Sequence, residues 1–150
     1  MSNPYTARVQ QKLLHAQMCL DQLSGASAPE KQQQLAMLQA ATLHLGIALK
    51  LYCRELASLL GSQEPERVYE ISDLDVNPFR QIGCVQELTQ HSGCRQLQDA
   101  ERTILNPVVK ASGPMIAGHV EVELTKGLVR QWLEQLRELS ERHRQGLVEY

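Results

Sequence analysis

From Leu35 to Leu59 the positions Leu35, Leu38, Thr42, Leu45, Leu49, Tyr52, Leu56 and Leu59 fall on alternating three- and four-residue steps. A stripe with that period belongs to one side of an α-helix and cannot be laid on one face of a strand, whose period is two. Met37, Ala41, Ala48 and Leu51 widen the seam. A helix with so broad an apolar face touches two neighbours in a bundle rather than one partner in a narrow coiled coil. At 1.5 Å per residue it would span roughly 45 to 50 Å, unless Gly46 bends it or one end projects to meet a partner. Gly61 is placed to end it.

The remaining pattern is helical too. A first helix opens at Pro4 behind Ser2 or Asn3 as cap, carries Val9, Leu13, Ala16, Leu20 and Leu23 on one side, and stops near Ser24-Gly25. Ser27-Ala28-Pro29-Glu30 has capping-box spacing and leads into the long helix. Residues 62–77 read as a polar connection with one short turn of structure. A third helical region from Asn77-Pro78 presents Phe79, Ile82, Val85 and Leu88, breaks at His91-Ser92-Gly93, and resumes through Cys94, Leu97, Ala100, Ile104 and Leu105. Asn106-Pro107 ends it, and residues 106–124 are irregular, although His119–Leu124 alternates like a strand. The last helix, from about Thr125, places Val129, Trp132, Leu136, Leu139, His143, Leu147 and Tyr150 near one face, with Arg130, Glu134, Arg137, Glu138 and Glu141 mostly elsewhere. The expectation is an all-α, up-and-down bundle of about four helices, the third broken, in a single domain over residues 1–150.

Composition supports that class. Hydrophobic residues are 43% of the 150-residue chain and aromatic residues only 4%, so the core must come from Leu, Val, Ile, Met and Ala. A formal net charge of -2 gives no positive field to draw nucleic acid or an acidic membrane. The chain start has no basic region leading into a continuous apolar run, and polar residues interrupt the hydrophobic stretches, so a cytoplasmic protein is expected. Cys19, Cys53, Cys84 and Cys94 form no C-x-x-C pair and read as reduced, buried thiols.

Chemistry-bearing patterns are sparse. A di-metal bundle site needs Glu-x-x-His pairs, and none occurs. Glu87 with His91, and His15 with Cys19, stand four apart and could each ligate a metal from one helical face. Such single pairs also arise by chance, and Cys84, His91 and Cys94 lack a fourth ligand, so no metal or other cofactor is expected. Gly113 and Gly118 have P-loop spacing but are followed by His119-Val120 instead of Lys and Ser or Thr. There is no Gly-x-Ser-x-Gly elbow. Asp73 and Asp75 could chelate a hard cation, but a solvated turn or helix cap is the commoner role of such a loop. The Arg137, Arg142 and Arg144 cluster is diluted by Glu134, Glu138, Glu141 and Glu149, against single-stranded nucleic-acid binding.

The spacing of Arg137 and His143 resembles the loose Arg/His motif of HEPN nucleases, helical bundles in which such a pair cleaves RNA across a dimer, with Glu138 supplying the polar residue beside the arginine. Six helical steps, at about 100° each, set the two side chains about 120° apart, and His143 falls on the apolar stripe, so a buried histidine is the preferred reading. Tyr5-Thr6, Gln10-Gln11-Lys12 and the ending Trp132…Arg144-Gln145-Gly146-Leu147-Val148-Glu149-Tyr150 are similar to an uncharacterised family of short helical bacterial proteins, whose usual terminal aromatic is Trp where this chain has Tyr150. The resemblance implies a bacterial cytoplasmic helical domain and transfers no catalytic residue. The leading expectation is a non-enzymatic module working by protein-protein contact, including self-association as a homodimer along the long helix or the end of the last. The alternatives are the Arg137/His143 ribonuclease and a small apolar ligand held between helices.

Overall fold

Five α-helices and three 3-10 turns make up the computed structural model, which describes residues 3–24, 30–106 and 123–148 and contains no strand among them. Helix α1 (Pro4–Gln22) starts with proline at its first position, and the Asn3 side chain accepts the Tyr5 N–H at 2.9 Å. Its buried residues, Val9, Leu13, Ala16 and Leu20, are those of the sequence stripe.

Helix α2 (Lys31–Leu59) has 29 residues and so runs for about 43 Å. It begins at Lys31, with Glu30 as the cap, and Glu30 and Gln33 form a capping box. The Glu30 N–H donates to Gln33 Oε1 at 3.3 Å, while Ser27 lies outside the described residues. At the other end Gly61 takes φ 91°, the Gly61 N–H donates to the Ser58 carbonyl and the Ser62 N–H to that of Ala57. A side chain would strain that left-handed residue, which is why glycine stops the helix. Leu38, Thr42, Leu45, Leu49, Tyr52 and Leu56 are buried along the seam, and Leu35 and Leu59 at its ends are exposed. Gly46 lies inside the continuous helix: a Cβ there would come within 2.0 Å of Glu101 Oε2, so the glycine makes room for a carboxylate of a neighbouring helix.

The connection after α2 is more structured than its polarity suggests. It contains the 3-10 turns Pro65–Arg67, Ile71–Leu74 and Phe79–Gln81, and it sends Val68, Ile71 and Leu74 into the core. Asp73 Oδ2 accepts the N–H groups of Tyr69 (2.8 Å) and Glu70 (3.1 Å), and Asp75 pairs with Arg80 at 3.4 Å. The acidic stretch thus caps and braces a turn.

The third helical region begins at Gly83, later than Asn77-Pro78, and divides at His91 into α3 (Gly83–Gln90) and α4 (Ser92–Leu105). His91 Nδ1 accepts the Cys94 N–H at 3.1 Å, so the residue at the break caps α4. Helix α5 (Lys126–Val148) starts behind Thr125, whose hydroxyl oxygen accepts the Leu128 N–H at 3.1 Å. Residues 107–122, with the glycines at 113 and 118 and most of the strand-like His119–Leu124, lie outside the described residues. One buried cluster draws on all five helices and on Val68, Ile71 and Leu74.

The outward side of α2 differs from that of an ordinary surface helix. No charged residue occurs between Lys31 and Lys50. Opposite the buried seam, Ala36, Ala40, Leu43 and Ile47 form a second stripe that ends at Leu51; Ala36 and Ile47 are exposed, Ala40 and Leu43 half-buried, and half-buried Leu51 also packs against the core, as its place at the edge of the broad seam predicts. An 18-residue window of α2 reaches a mean hydropathy of 1.3, long and apolar enough by length and composition to cross a membrane, with 44% of the window buried inside the bundle. The polar residues that interrupt the run, Gln39, Thr42 and His44, are uncharged, so the helix stays apolar over that length.

Candidate functional site

Two regions stand out: a buried polar relay between α2, α3 and α5, and the outward stripe of α2. In the relay, Tyr52 is wholly buried and its hydroxyl is hydrogen-bonded to His143 Nδ1, the two rings stacking at a centroid separation of 5.9 Å. His143 Nε2 lies 3.1 Å from Glu87 Oε2. A neutral imidazole protonated on Nε2 satisfies both bonds, with Tyr52 donating to Nδ1 and Nε2–H donating to Glu87. Glu87 also accepts from both terminal nitrogens of Arg142, whose Nε donates to Glu138 at 2.7 Å. Beside the relay, Arg144 grips the buried Glu55 carboxylate bidentately at 2.6 and 2.8 Å.

The electrostatics follow from these partners. Hydrogen bonds from Arg142, aided by His143, hold the Glu87 carboxyl down at about 2. Burial pushes the Tyr52 hydroxyl far above its ordinary range. None of the side-chain polar atoms of Tyr52, His143 or Glu55 is buried without a partner. A buried hydroxyl and an imidazole with both nitrogens occupied present no free atom to a substrate, so the relay orders α5 against α2 and α3.

The sequence-derived pair Arg137 and His143 is not brought together within the chain. Arg137 lines an open groove on the outer side of α5 with Glu134, Glu138, Glu141, Arg142 and Gln145, and it forms no ion pair among the described residues. His143 points the other way, 5% exposed, because it occupies an apolar-stripe position of the helix.

One suggested metal pair, Glu87 with His91, is divided by its partners. Glu87 turns to Arg142 and His143, while His91 caps α4. His15 meets His44 edge-on at 5.2 Å between α1 and α2, and the buried His44 Nδ1 has no partner. Burial, then the charges of Lys12 and His15, lower the His44 pKa. No group of three or more His, Cys, Asp or Glu is placed to share a metal among the described residues. All four cysteines are free; Cys53 and Cys94 are buried, whereas Cys19 and Cys84 are half-buried. Burial raises all four thiols, Cys94 to about 12, so they stay protonated and weakly nucleophilic.

On the outward side of α2 the flanking cations are tied up within the chain. Lys50 pairs with the buried Glu101, and Arg54 donates to the Val68 carbonyl at 2.8 Å with its guanidinium 5.2 Å from the Tyr69 ring centroid. N-terminal to those two cations, residues 32–49 of α2 carry no charge. Sequence reasoning missed the Tyr52–His143–Glu87–Arg142 relay and the Glu55–Arg144 and Lys50–Glu101 pairs. The available signal was Glu55, a charge beside Leu56 on the seam side of α2, which burial would oblige to find a cation. Comparison with protein-family models, curated proteins and solved structures finds no match to the chain. What the chain does is therefore read from its own geometry.

Proposed function

We propose that the chain is a non-enzymatic helical bundle that works by protein-protein contact through the outward face of α2. One observation carries the reading: the stripe Ala36, Ala40, Leu43, Ile47 and Leu51 lies on a helix with no charge from residue 32 to residue 49, where solvated helices ordinarily carry their charged side. In the same reading α1, α2, the broken pair α3–α4 and α5 alternate up and down. Supporting pairs are His15 with His44 between α1 and α2, Lys50 with Glu101 between α2 and α4, and Trp132 with Gln96 between α5 and α4. A bacterial cytoplasmic setting, implied by the resemblance at the chain ends, belongs to this proposal.

A photo-crosslinking amino acid placed at Ile47, which is 40% exposed, tests the contact. Irradiation in cells is expected to give a discrete protein adduct at position 47 and none from the exposed control position Gln10 on α1. No adduct at 47 would overturn the reading. An Arg137/His143 ribonuclease would need a second chain to bring an arginine to His143, and His143 released from Tyr52 and Glu87. Wild type and His143→Ala are expected to give the same background level of RNA cleavage.

A further inference from the structure

We infer that the partner seated on the outward face of α2 is a second copy of this chain, docked antiparallel about a two-fold axis beside Leu43. This rests on the contact reading of α2 and commits it to one occupant. The stripe is graded in size along the helix: Ala36 and Ala40 are small, Leu43 stands at the middle, and Ile47 and Leu51 are large. Two such stripes crossing antiparallel at Leu43 set Ala36 of one copy against Leu51 of the other and Ala40 against Ile47. Each bulky side chain then meets the space above an alanine, and the same patch serves both copies, as an isologous contact requires. A parallel pair would oppose large to large and small to small, leaving voids at one end and crowding at the other.

Charge selects the same direction. A parallel pair would bring Lys50 beside Lys50 and Arg54 beside Arg54. The antiparallel pair carries Lys50 toward Met37 and Arg54 toward Gln33, which are uncharged. Those cations already hold Glu101 and the Val68 carbonyl within their own chain, so neither side chain must be stripped of a partner when the faces meet. The uncharged stretch from residue 32 to residue 49 covers about 27 Å of helix, long enough for several turns of each copy to engage. Heptad-like spacing on the exposed side of a helix whose other side is already in a core suits a helix packed between two neighbours, one of them supplied by association.

Mild oxidation of single-cysteine additions tests the geometry, with wild type carried alongside to account for the four native thiols. Leu43→Cys alone is expected to give a disulfide-linked dimer, Ala36→Cys alone is not, and an equal mixture of Ala40→Cys and Ile47→Cys is expected to give a mixed dimer. Sedimentation of Ile47→Lys should show association roughly a hundredfold weaker than wild type, about tenfold for each of the two lysines introduced. Leu14→Lys, on the 57%-exposed outer side of α1, should associate like wild type. Ala36→Cys linking as readily as Leu43→Cys would overturn the antiparallel arrangement, and a monomer from micromolar to millimolar concentration would overturn the second copy. If the purified chain is monomeric while position 47 captures a different protein in cells, the contact reading stands and this inference fails. If position 47 captures nothing as well, both fail.

Discussion

The inward and outward sides of α2 use opposite means to interact. Inside, Thr42, Tyr52 and Glu55 interrupt an apolar core, and each has its partner: the Leu38 carbonyl, His143 and Arg144. Outside, where charge would be expected, the stripe through Leu43 and Ile47 carries none. Buried polar groups that are matched in pairs add little net stability over apolar packing but are costly to unmatch, because the survivor keeps its desolvation penalty. Exposed Ile47 has the reverse character: little is lost within the chain by changing it, and its effect is assigned by the proposal to a partner. The inner face therefore specifies the fold, and the outer face is the one proposed for recognition.

Breaking the inner face should show the largest effects. Arg144→Ala leaves Glu55, which is 0% exposed, without its cation and should lower unfolding stability by about 3–5 kcal/mol in urea titrations. Tyr52→Phe strips His143 Nδ1 of its partner in a buried site and should lower stability by about 1–3 kcal/mol. Gly46→Ala pushes a methyl group into the Glu101 carboxylate, for a loss of about 1–3 kcal/mol. If that clash is the cause, a double-mutant cycle with Glu101→Ala will recover part of the loss; strict additivity would refute the close-approach explanation of Gly46.

A smaller effect follows from pH. Glu87 is held at about 2 against an ordinary 4.5, so its folded-state pKa is depressed. Its contribution is fully present above about 4.5 and is lost as pH falls toward about 2. Thermal melts over that window should fall less steeply for Glu87→Gln than for wild type. The smallest effect on the isolated chain belongs to the outer face: Ile47→Lys at a 40%-exposed position should change unfolding stability, measured with the wild type also dissociated, by no more than about 0.5 kcal/mol. A large destabilisation there would mean that the chain itself needs the outer stripe.

The parts of this architecture that are periodic were legible in the sequence. The α1 and α2 stripes, the break at His91, the stop at Gly61 and the placement of His143 on the apolar side of α5 all follow from residue spacing and turn chemistry. What spacing does not encode is pairing across the chain. Glu55 and Arg144 are 89 residues apart and Tyr52 and His143 are 91 apart, and only the packed bundle brings them together. Burial of Val68, Ile71 and Leu74 was hidden because 3-10 turns lack the longer period that marks a helix, and their polar neighbours dominate the local composition. Gly46 resembled a bend because its function depends on Glu101, a residue on another helix.

The outward face of α2 as a self-contact is tested most directly by sedimentation equilibrium of the purified wild-type chain beside Ile47→Lys over the same concentration range. A wild type that passes from monomer to dimer as concentration rises, with Ile47→Lys folded but monomeric, is the predicted result. Identical behaviour of the two proteins, whether both monomeric or both dimeric, would contradict it.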